Sequence, residues 1–365
     1  MLCAGSSIPV LITGRLLQGL SASVVWTVGL ALLSDTVPKD EIGKAMGYMA
    51  AAMSVGSLTG PLVGGVIYAK SGYYTVFAVG FGLIGLDVLL RLLMIEKRVA
   101  RKWLADVPDS AESRSQNSST RETRSADVLN ASPVPSRTRS LPLIITLLLI
   151  PRLLAALFGC FTYAVFLASF DSVLPIYIKD IFHWDSTGAG LIFVCLVAPQ
   201  FGSPFIGTLS DRYGSRVITT TGFLGCVPIW ILLRFVTYNS IHQKALLSAL
   251  LVIIGIFLTM ILTPLMAEID RTIGIEGIKR SGSIGKDGAA AQGFGLFNLA
   301  YAVGTLIGPL WAGFIMESAN WGTMGWSMAV LSGTCGITTV IWTGSKNMGI
   351  RKRRLRAQAW ADSTW

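Results

Sequence analysis

Two ten-residue stretches share one pattern, GSLTGPLVGG at residues 56–65 and GTLIGPLWAG at residues 304–313. Small residues spaced by four allow two helices to approach closely, and a proline inside a helix breaks a backbone hydrogen bond and bends the helix. One copy fits ordinary helix packing, whereas two copies in register predict a chain built from duplicated halves. The repeat is defined by Gly56, Gly60, Pro61, Gly65, Gly304, Gly308, Pro309 and Gly313.

The composition around the repeat is typical of a membrane protein. Hydrophobic residues make up 52% of the 365 residues, charged residues make up 14%, and the mean hydropathy is +0.61. A water-soluble chain of this length needs far more charge on its surface. The apolar residues come in blocks of about 20, the length of a membrane-spanning helix, and not in short alternating strands. The sequence therefore predicts an all-α polytopic membrane protein.

Length and flanking residues predict about nine membrane-spanning helices. These spans are residues 8–33, 45–68, 76–95, 153–177, 188–209, 217–235, 245–266, 292–316 and 325–343. Residues 141–151 fit either a helix along the membrane surface or an early start of the fourth span. The predicted organisation is an N-terminal helical part at 1–95, a polar linker at 96–141, a C-terminal six-helix part at 142–345 and a basic tail at 346–365.

The net charge of +10 is concentrated in alternate loops and in the tail. Basic residues follow the first, third, fifth, seventh and ninth predicted spans, whereas the other loops carry little beyond Lys70, Lys179 and Lys244. An excess of Lys and Arg marks the cytosolic side of a membrane protein. We therefore expect the linker and the tail in the cytosol, and we expect no nucleic-acid partner.

The sequence contains no pattern typical of an enzyme. The five cysteines form no CxxC pair, and the two histidines fall in short connecting loops. No nucleophile lies next to a base, and no phosphate-binding loop is present. We therefore expect no catalytic residues, no metal site and no cofactor.

Three features resemble the major facilitator superfamily: the paired Gly-Pro helices, the turn GTLSDRYGSR at residues 207–216, and GRLLQG at residues 14–19. The chain looks most like the drug:proton antiporter branch, which includes vesicular amine transporters and many fungal exporters; DSVLPIY at residues 171–177 supports this. The resemblance implies the superfamily fold, twelve helices in two halves with substrate bound between them. About nine of those helices are present, matching family helices four to twelve. The duplication puts the counterpart of the 207–216 turn about 40 residues before Met1, so we expect the first two to three helices to be lacking.

The resemblance implies roles for polar residues inside the spans, where charge is costly and usually faces a cavity or a partner. Arg15 is expected to take part in proton coupling, although it also fits an interfacial arginine, and Gln18 is a possible cavity contact on the same helix. Asp171 aligns with an acidic position of the amine transporters and is expected to alternate between protonated and charged forms, or to be a structural carboxylate near the outer surface. Asn298 replaces a family carboxylate and cannot carry a proton, which weakens the case for an amine substrate.

The turn after the fifth span resembles the family's cytoplasmic gate. Asp211, Arg212 and Arg216 are expected to latch one conformation, because an acid near a helix N-terminus and basic groups near other helix ends attract each other. The alternative is that these charges only set topology. Glu268 and Asp270, at the end of the seventh span, are expected to be interfacial.

The first hypothesis is a secondary active transporter that exports a small organic molecule, such as a metabolite, toxin or drug, in exchange for protons. Its expected partners are that substrate, protons and the lipid bilayer. The sequence favours a monomer, and a plasma-membrane location over a vacuolar or vesicular one. The lacking helices motivate an alternative, a truncated non-transporting remnant or a regulatory membrane subunit. A nutrient symporter is a weaker alternative.

Overall fold

The computed structural model describes residues 7–93, 143–184, 186–279 and 286–343. The helices in these ranges are α1 (Ile8–Thr36), α2 (Ile42–Ser71), α3 (Tyr73–Leu93), α4 (Leu143–Leu148), α5 (Pro151–Phe182), α6 (Ser186–Val197), α7 (Ser203–Tyr213), α8 (Ser215–Leu232), α9 (Ile241–Lys279), α10 (Lys286–Ser318) and α11 (Trp321–Trp342). The predicted linker at residues 96–141 and the predicted tail at 346–365 lie outside the described residues.

Long apolar helices make up nearly all of the described chain. Eight helical stretches in the described ranges are long and apolar enough to cross a membrane, and they coincide with every predicted span except the second. The second predicted span lies inside α2, which has 30 residues. At about 1.5 Å per residue a helix of that length reaches about 45 Å, more than the hydrocarbon core of a bilayer. The prediction of an all-α polytopic fold is confirmed.

The fifth predicted span differs from the expectation because it is not one α-helix. α6 ends at Val197, a 3-10 turn occupies Ala198–Gly202, and α7 continues from Ser203. Pro199 cannot donate a backbone hydrogen bond, and Gly202 favours a break in the helix, so the turn falls between these two residues. The hydroxyl of Ser203 donates to the Gln200 carbonyl at 2.5 Å and closes the turn.

The short helix α4 is separate from the fourth predicted span. It ends at Leu148, and α5 begins at Pro151. Proline is well suited to the first turn of a helix, because the N–H group that it lacks would have no partner there. Leu147 of α4 is fully buried. The structure therefore favours a distinct helix over an early start of the span.

α5 lies at the centre of the bundle and packs most extensively against α10, while α8 packs against α9 and α11. Large side chains fill the core, and the rings of Phe170 and Trp230 stack with their centroids 4.6 Å apart. Many apolar side chains on the other helix faces are exposed. A soluble protein rarely exposes such surface, but a lipid bilayer covers it.

The described residues fall into two compact units: those up to residue 63 together with those from residue 143 onward, and residues 64–93. In the second unit, α3 has no buried residue, and Asp87 and Arg91 on its surface form an ion pair at 2.8 Å. The polar interactions between separate helices that build the candidate site lie within the first unit. The domain boundaries near residues 95 and 141 stay a prediction.

Candidate functional site

Asp211, near the C-terminal end of α7, joins three helices at one end of the bundle. Its carboxylate accepts hydrogen bonds from the backbone N–H groups of Gly43 and Lys44, both at 2.9 Å, in the first turn of α2. Arg271 of α9 forms an ion pair with the same carboxylate at 2.6 Å. First-turn N–H groups have no partner inside their own helix, and the helix dipole favours an anion there. Asp211 therefore caps α2 from another helix, and Arg271 balances its charge.

Asp270, the neighbour of Arg271 on α9, binds the connection between α1 and α2. The Lys39 amino group forms an ion pair with its carboxylate at 3.1 Å, and the Ser34 hydroxyl donates to the same group. Asp270 is 2% exposed whereas Lys39 is 59% exposed. Breaking this pair returns Lys39 to solvent but leaves the buried Asp270 carboxylate with the Ser34 hydroxyl as its remaining donor in the latch. We call the contacts of Asp211 with Gly43, Lys44 and Arg271, and of Asp270 with Lys39 and Ser34, the latch.

The latch lies where the backbones of α2 and α7 almost touch. A Cβ added to Gly43 would lie 2.7 Å from the Gly207 carbonyl oxygen, and one added to Gly47 would lie 2.5 Å from the Ser203 carbonyl oxygen. Only glycine permits such an approach without moving one helix. This crossing was not predicted from the sequence, although the four-residue spacing of Gly43 and Gly47 was a usable signal.

Glu268 forms a second buried charged group at the same end. The guanidinium of Arg152, in the first turn of α5, forms an ion pair with one carboxylate oxygen, and the Ser215 hydroxyl of α8 donates to the other. Glu268 is 1% exposed. Glu268 and Asp270, expected to be interfacial, are therefore both buried within networks that join separate helices.

Two of the residues expected at the gate lie outside the latch. The Arg212 guanidinium lies 5.6 Å from the ring centroid of its neighbour Tyr213. Within the described part of the chain, neither Arg212 nor Arg216 forms an ion pair. Lys39, Lys44, Arg152 and Arg271 nevertheless share this end of the bundle with them, so we call it the basic end.

A polar cluster lies deeper in the bundle, at the 3-10 turn between α6 and α7. The Gln200 side-chain oxygen accepts hydrogen bonds from the Tyr163 hydroxyl of α5 at 3.2 Å and from the Ser54 hydroxyl of α2 at 3.1 Å. Gln200 is 7% exposed, and its amide nitrogen has no hydrogen-bond partner among the described residues. A buried donor left unpaired is costly, which makes it a candidate ligand contact. Sequence reasoning missed Gln200, although its position between Pro199 and Gly202 inside an apolar span was a usable signal.

Asp171 lies on α5 two turns beyond Tyr163. It lies near Tyr163 and near Tyr301 of α10, whose ring centroids are 6.2 Å apart. Its side chain is exposed in the structure. A polar patch therefore runs from Gln200 past the two tyrosines to Asp171, and it crosses three helical segments.

Arg15, Gln18 and Asn298 lie on or against α1. Arg15 donates to the Gln18 side-chain oxygen one turn later at 3.1 Å, and both residues are exposed. The Asn298 amide of α10 donates to the Ser23 carbonyl of α1 at 3.4 Å. The structure therefore brings Asn298 to α1, but it does not bring Arg15 or Gln18 into contact with Asp171.

The two copies of the repeat have different surroundings. Added Cβ atoms on Gly304 and Gly308 would meet α5, the second at 2.7 Å from the Val165 carbonyl oxygen, and Ser169 donates to the Gly308 carbonyl at 3.0 Å. This copy therefore allows α5 and α10 to pack closely. In the first copy, Gly56 and Gly60 have no described atom within 4 Å of an added Cβ, and the same is true of Gly313. α2 and α10 continue through Pro61 and Pro309.

Comparisons with known proteins give the same family that the repeat suggested. The sequence matches the Major Facilitator Superfamily over residues 1–284. It is 32% identical to the MFS-type transporter ppzB of Metarhizium rileyi, over 94% of this chain and 77% of that protein. It is 25% identical to the multi-drug resistance efflux pump PmrA homolog of Lactococcus lactis, over 90% of this chain and 69% of that one. The crystal structure of the human organic anion transporter MFSD10 is similar in fold, with a TM-score of 0.56 and 17% identity, over 93% of this chain and 72% of that chain.

Proposed function

Because the chain belongs to the Major Facilitator Superfamily, we propose that it is a secondary active transporter that exports a small organic molecule in exchange for protons. The efflux relative supports the direction, since its sequence aligns along most of this chain. The fungal relative supports the class of transporter over a similar length. The transporter acts as a monomer in the plasma membrane.

The latch is the observation that carries this proposal. It joins α2, from the first part of the chain, to α7 and α9, from the later part, at the basic end. The excess of Lys and Arg in the loops at that end supports a cytosolic location for it. Ion pairs and capping hydrogen bonds that form in one arrangement and break in another are the means by which two packed halves switch. The described conformation is therefore the one closed toward the cytosol.

The substrate and the proton bind at the polar patch, which lies deeper in the bundle than the latch. Asp171 binds the proton, because it is the carboxylate of the patch. The unpaired Gln200 amide donates to the substrate, and the Tyr163 hydroxyl fixes the orientation of that amide. Arg15, Gln18 and Asn298 line the route on the side of α1. Gly304, Gly308 and Pro309, with Gly56, Gly60, Pro61, Gly65 and Gly313, allow α10 and α2 to pivot.

The proposal is tested by measuring how much of each test compound accumulates in cells that express the chain. The panel is ethidium, fluorescein and cycloheximide, a cation, an anion and a neutral compound, each measured with and without a protonophore. We expect lower accumulation of at least one compound, reversal by the protonophore, and loss of the effect in Asp171→Asn and Arg15→Ala. The matched control is Asp180→Asn, an exposed carboxylate farther along α5. Unchanged accumulation of every compound, with the protein present in membranes, would instead favour a non-transporting remnant or regulatory subunit.

A further inference from the structure

A cavity of about 850 Å³ opens at the end of the bundle opposite the basic end. It is lined by residues that follow α8 and by the turn between α10 and α11, among them Arg234, Asn320, Trp321 and Trp326. Its volume is in the range of pockets that hold small organic molecules. It is separate from the polar patch around Gln200, since the two share no lining residue.

Arg234 supplies the charge of this cavity. It is the ionisable cation among the described lining residues, and within the described part of the chain it forms no ion pair. A Cβ added to Gly322 would lie 2.9 Å from its Cγ, so the arginine side chain lies across the first turn of α11. That first turn contains no acidic residue. Glu317, the acid nearest to the rim in sequence, does not line the cavity.

Several other polar groups of the lining already form hydrogen bonds within the protein. The Asn320 side-chain oxygen accepts from the Thr323 N–H at 2.8 Å, and the Trp321 indole donates to the Leu233 carbonyl at 2.9 Å. The Tyr177 hydroxyl donates to the Val236 carbonyl. Among the described lining residues, several groups that form no hydrogen bond in the structure are donors, including the Arg234 guanidinium and the backbone N–H groups of Trp321 and Gly322 at the start of a helix. Arginine and first-turn N–H groups both favour an anion.

Aromatic rings form the apolar wall of the cavity. Trp321 stacks on Tyr177 with ring centroids 4.0 Å apart, which fixes both rings. Trp326, one turn along α11, lines the cavity and is 55% exposed, so much of its ring is accessible. A planar body can therefore lie on Trp326 while its anionic group faces Arg234.

We propose that this cavity is a binding site for the anionic group of a molecule with an aromatic or apolar body. The anion comes either from solution, as an organic carboxylate, or from the bilayer, as the headgroup of an anionic lipid. The site lies apart from the latch and from the polar patch, so binding here does not depend on the proposed transport activity.

Equilibrium binding to the purified full chain in phosphatidylcholine nanodiscs tests the solution source. The probes are indole-3-acetate and indole-3-acetamide, which share the same ring and differ in charge. We expect the anion to bind more tightly than the amide, and Arg234→Gln to weaken the anion by about tenfold without affecting the amide, since hydrogen bonds to charged groups are worth that much. Lys179→Gln, a cation on α5 outside the cavity, is the matched control.

Two further measurements complete the test. Native mass spectrometry compares retention of phosphatidylglycerol with that of phosphatidylcholine, and loss of the phosphatidylglycerol preference in Arg234→Gln assigns the anion to the bilayer. Trp326→Ala keeps Arg234 and should weaken both indole probes, which covers the case that Arg234→Gln does not fold. The proposal is overturned if neither anion distinguishes Arg234→Gln from Lys179→Gln in folded protein.

Discussion

The carboxylate of Asp211 accepts a hydrogen bond from the backbone N–H of Gly43 at 2.9 Å, although 168 residues separate them in the sequence. The bond requires α2 and α7 to cross at their glycines, because a side chain at position 43 would collide with Asp211 itself. One contact therefore reports on the distance between the first and the later part of the chain at the basic end.

Asp211→Asn should loosen the basic end. The amide cannot balance Arg271, and it replaces a charged acceptor at the start of α2, so we expect a loss of about 2 kcal/mol from the closed arrangement. Spin labels at Tyr48 and Thr208, exposed positions on α2 and α7, measure the separation. The distance distribution should broaden toward longer values in Asp211→Asn.

Asp87→Asn is the control for this measurement, since it removes an exposed carboxylate from an ion pair on α3. Its distance distribution should match that of the wild-type chain. A distribution in Asp211→Asn that also matches the wild type would show that the latch does not hold α2 against α7.

Gly47→Ala should destabilise the crossing of α2 and α7. The added methyl would lie 2.5 Å from the Ser203 carbonyl oxygen, so the helices must separate. Overpacking of this kind costs about 1–3 kcal/mol. Thermal unfolding in detergent should show a lower Tm than for Gly80→Ala, where an added Cβ meets no described atom within 4 Å. Equal Tm values would mean that the backbones are not in contact in solution.

Gln200→Leu should remove the acceptor shared by Tyr163 and Ser54. The Tyr163 hydroxyl then loses its bond in a buried region, at about 1–3 kcal/mol, whereas the Ser54 hydroxyl can still donate to the Ala50 carbonyl at 2.9 Å. Tyr163→Phe removes one of the same bonds, so a double-mutant cycle on Tm should show effects that do not add. If Gln200 also contacts substrate, Gln200→Leu raises KM while Tyr163→Phe has a smaller effect. Additive Tm changes would contradict the observed hydrogen bond.

Glu268→Gln should lower the Tm more than a double variant that removes both charges of the Arg152–Glu268 ion pair. It leaves the Arg152 guanidinium without its charge partner in a mostly buried site, and breaking such a pair costs about 3–5 kcal/mol. Replacing both residues, as Glu268→Leu with Arg152→Met, removes both charges together. The double variant should have a Tm closer to the wild type than either single variant. A double variant as unstable as Glu268→Gln would rule out unpaired charge as the cause.

The helices were predictable because each span satisfies its own backbone and must be about 20 residues long. Apolar length alone therefore located them in the sequence. The break at Ala198–Gly202 was missed because hydropathy averages over a window and passes through a single Pro–Gly interruption. The same average concealed Gln200 inside a span.

The contacts of the latch were less accessible to sequence reasoning. The turn at residues 207–216 named Asp211 as a gate residue, but no pattern names its partners, since Gly43 and Lys44 contribute backbone N–H groups and not side chains. Asp270 was expected to be interfacial because it ends a predicted span, yet Lys39 pairs with it from 231 residues away. Burial of a charge depends on such partners.

Proton flux in proteoliposomes measures whether transport by this chain is coupled to protons. The purified chain is reconstituted with a trapped pH indicator, a pH gradient is imposed, and the compound that the cells exclude is added. We expect the compound to dissipate the gradient, Asp171→Asn to abolish this flux, and Asp180→Asn to retain it. A gradient that decays equally with and without the compound, and equally in empty liposomes, would contradict proton-coupled transport by this chain.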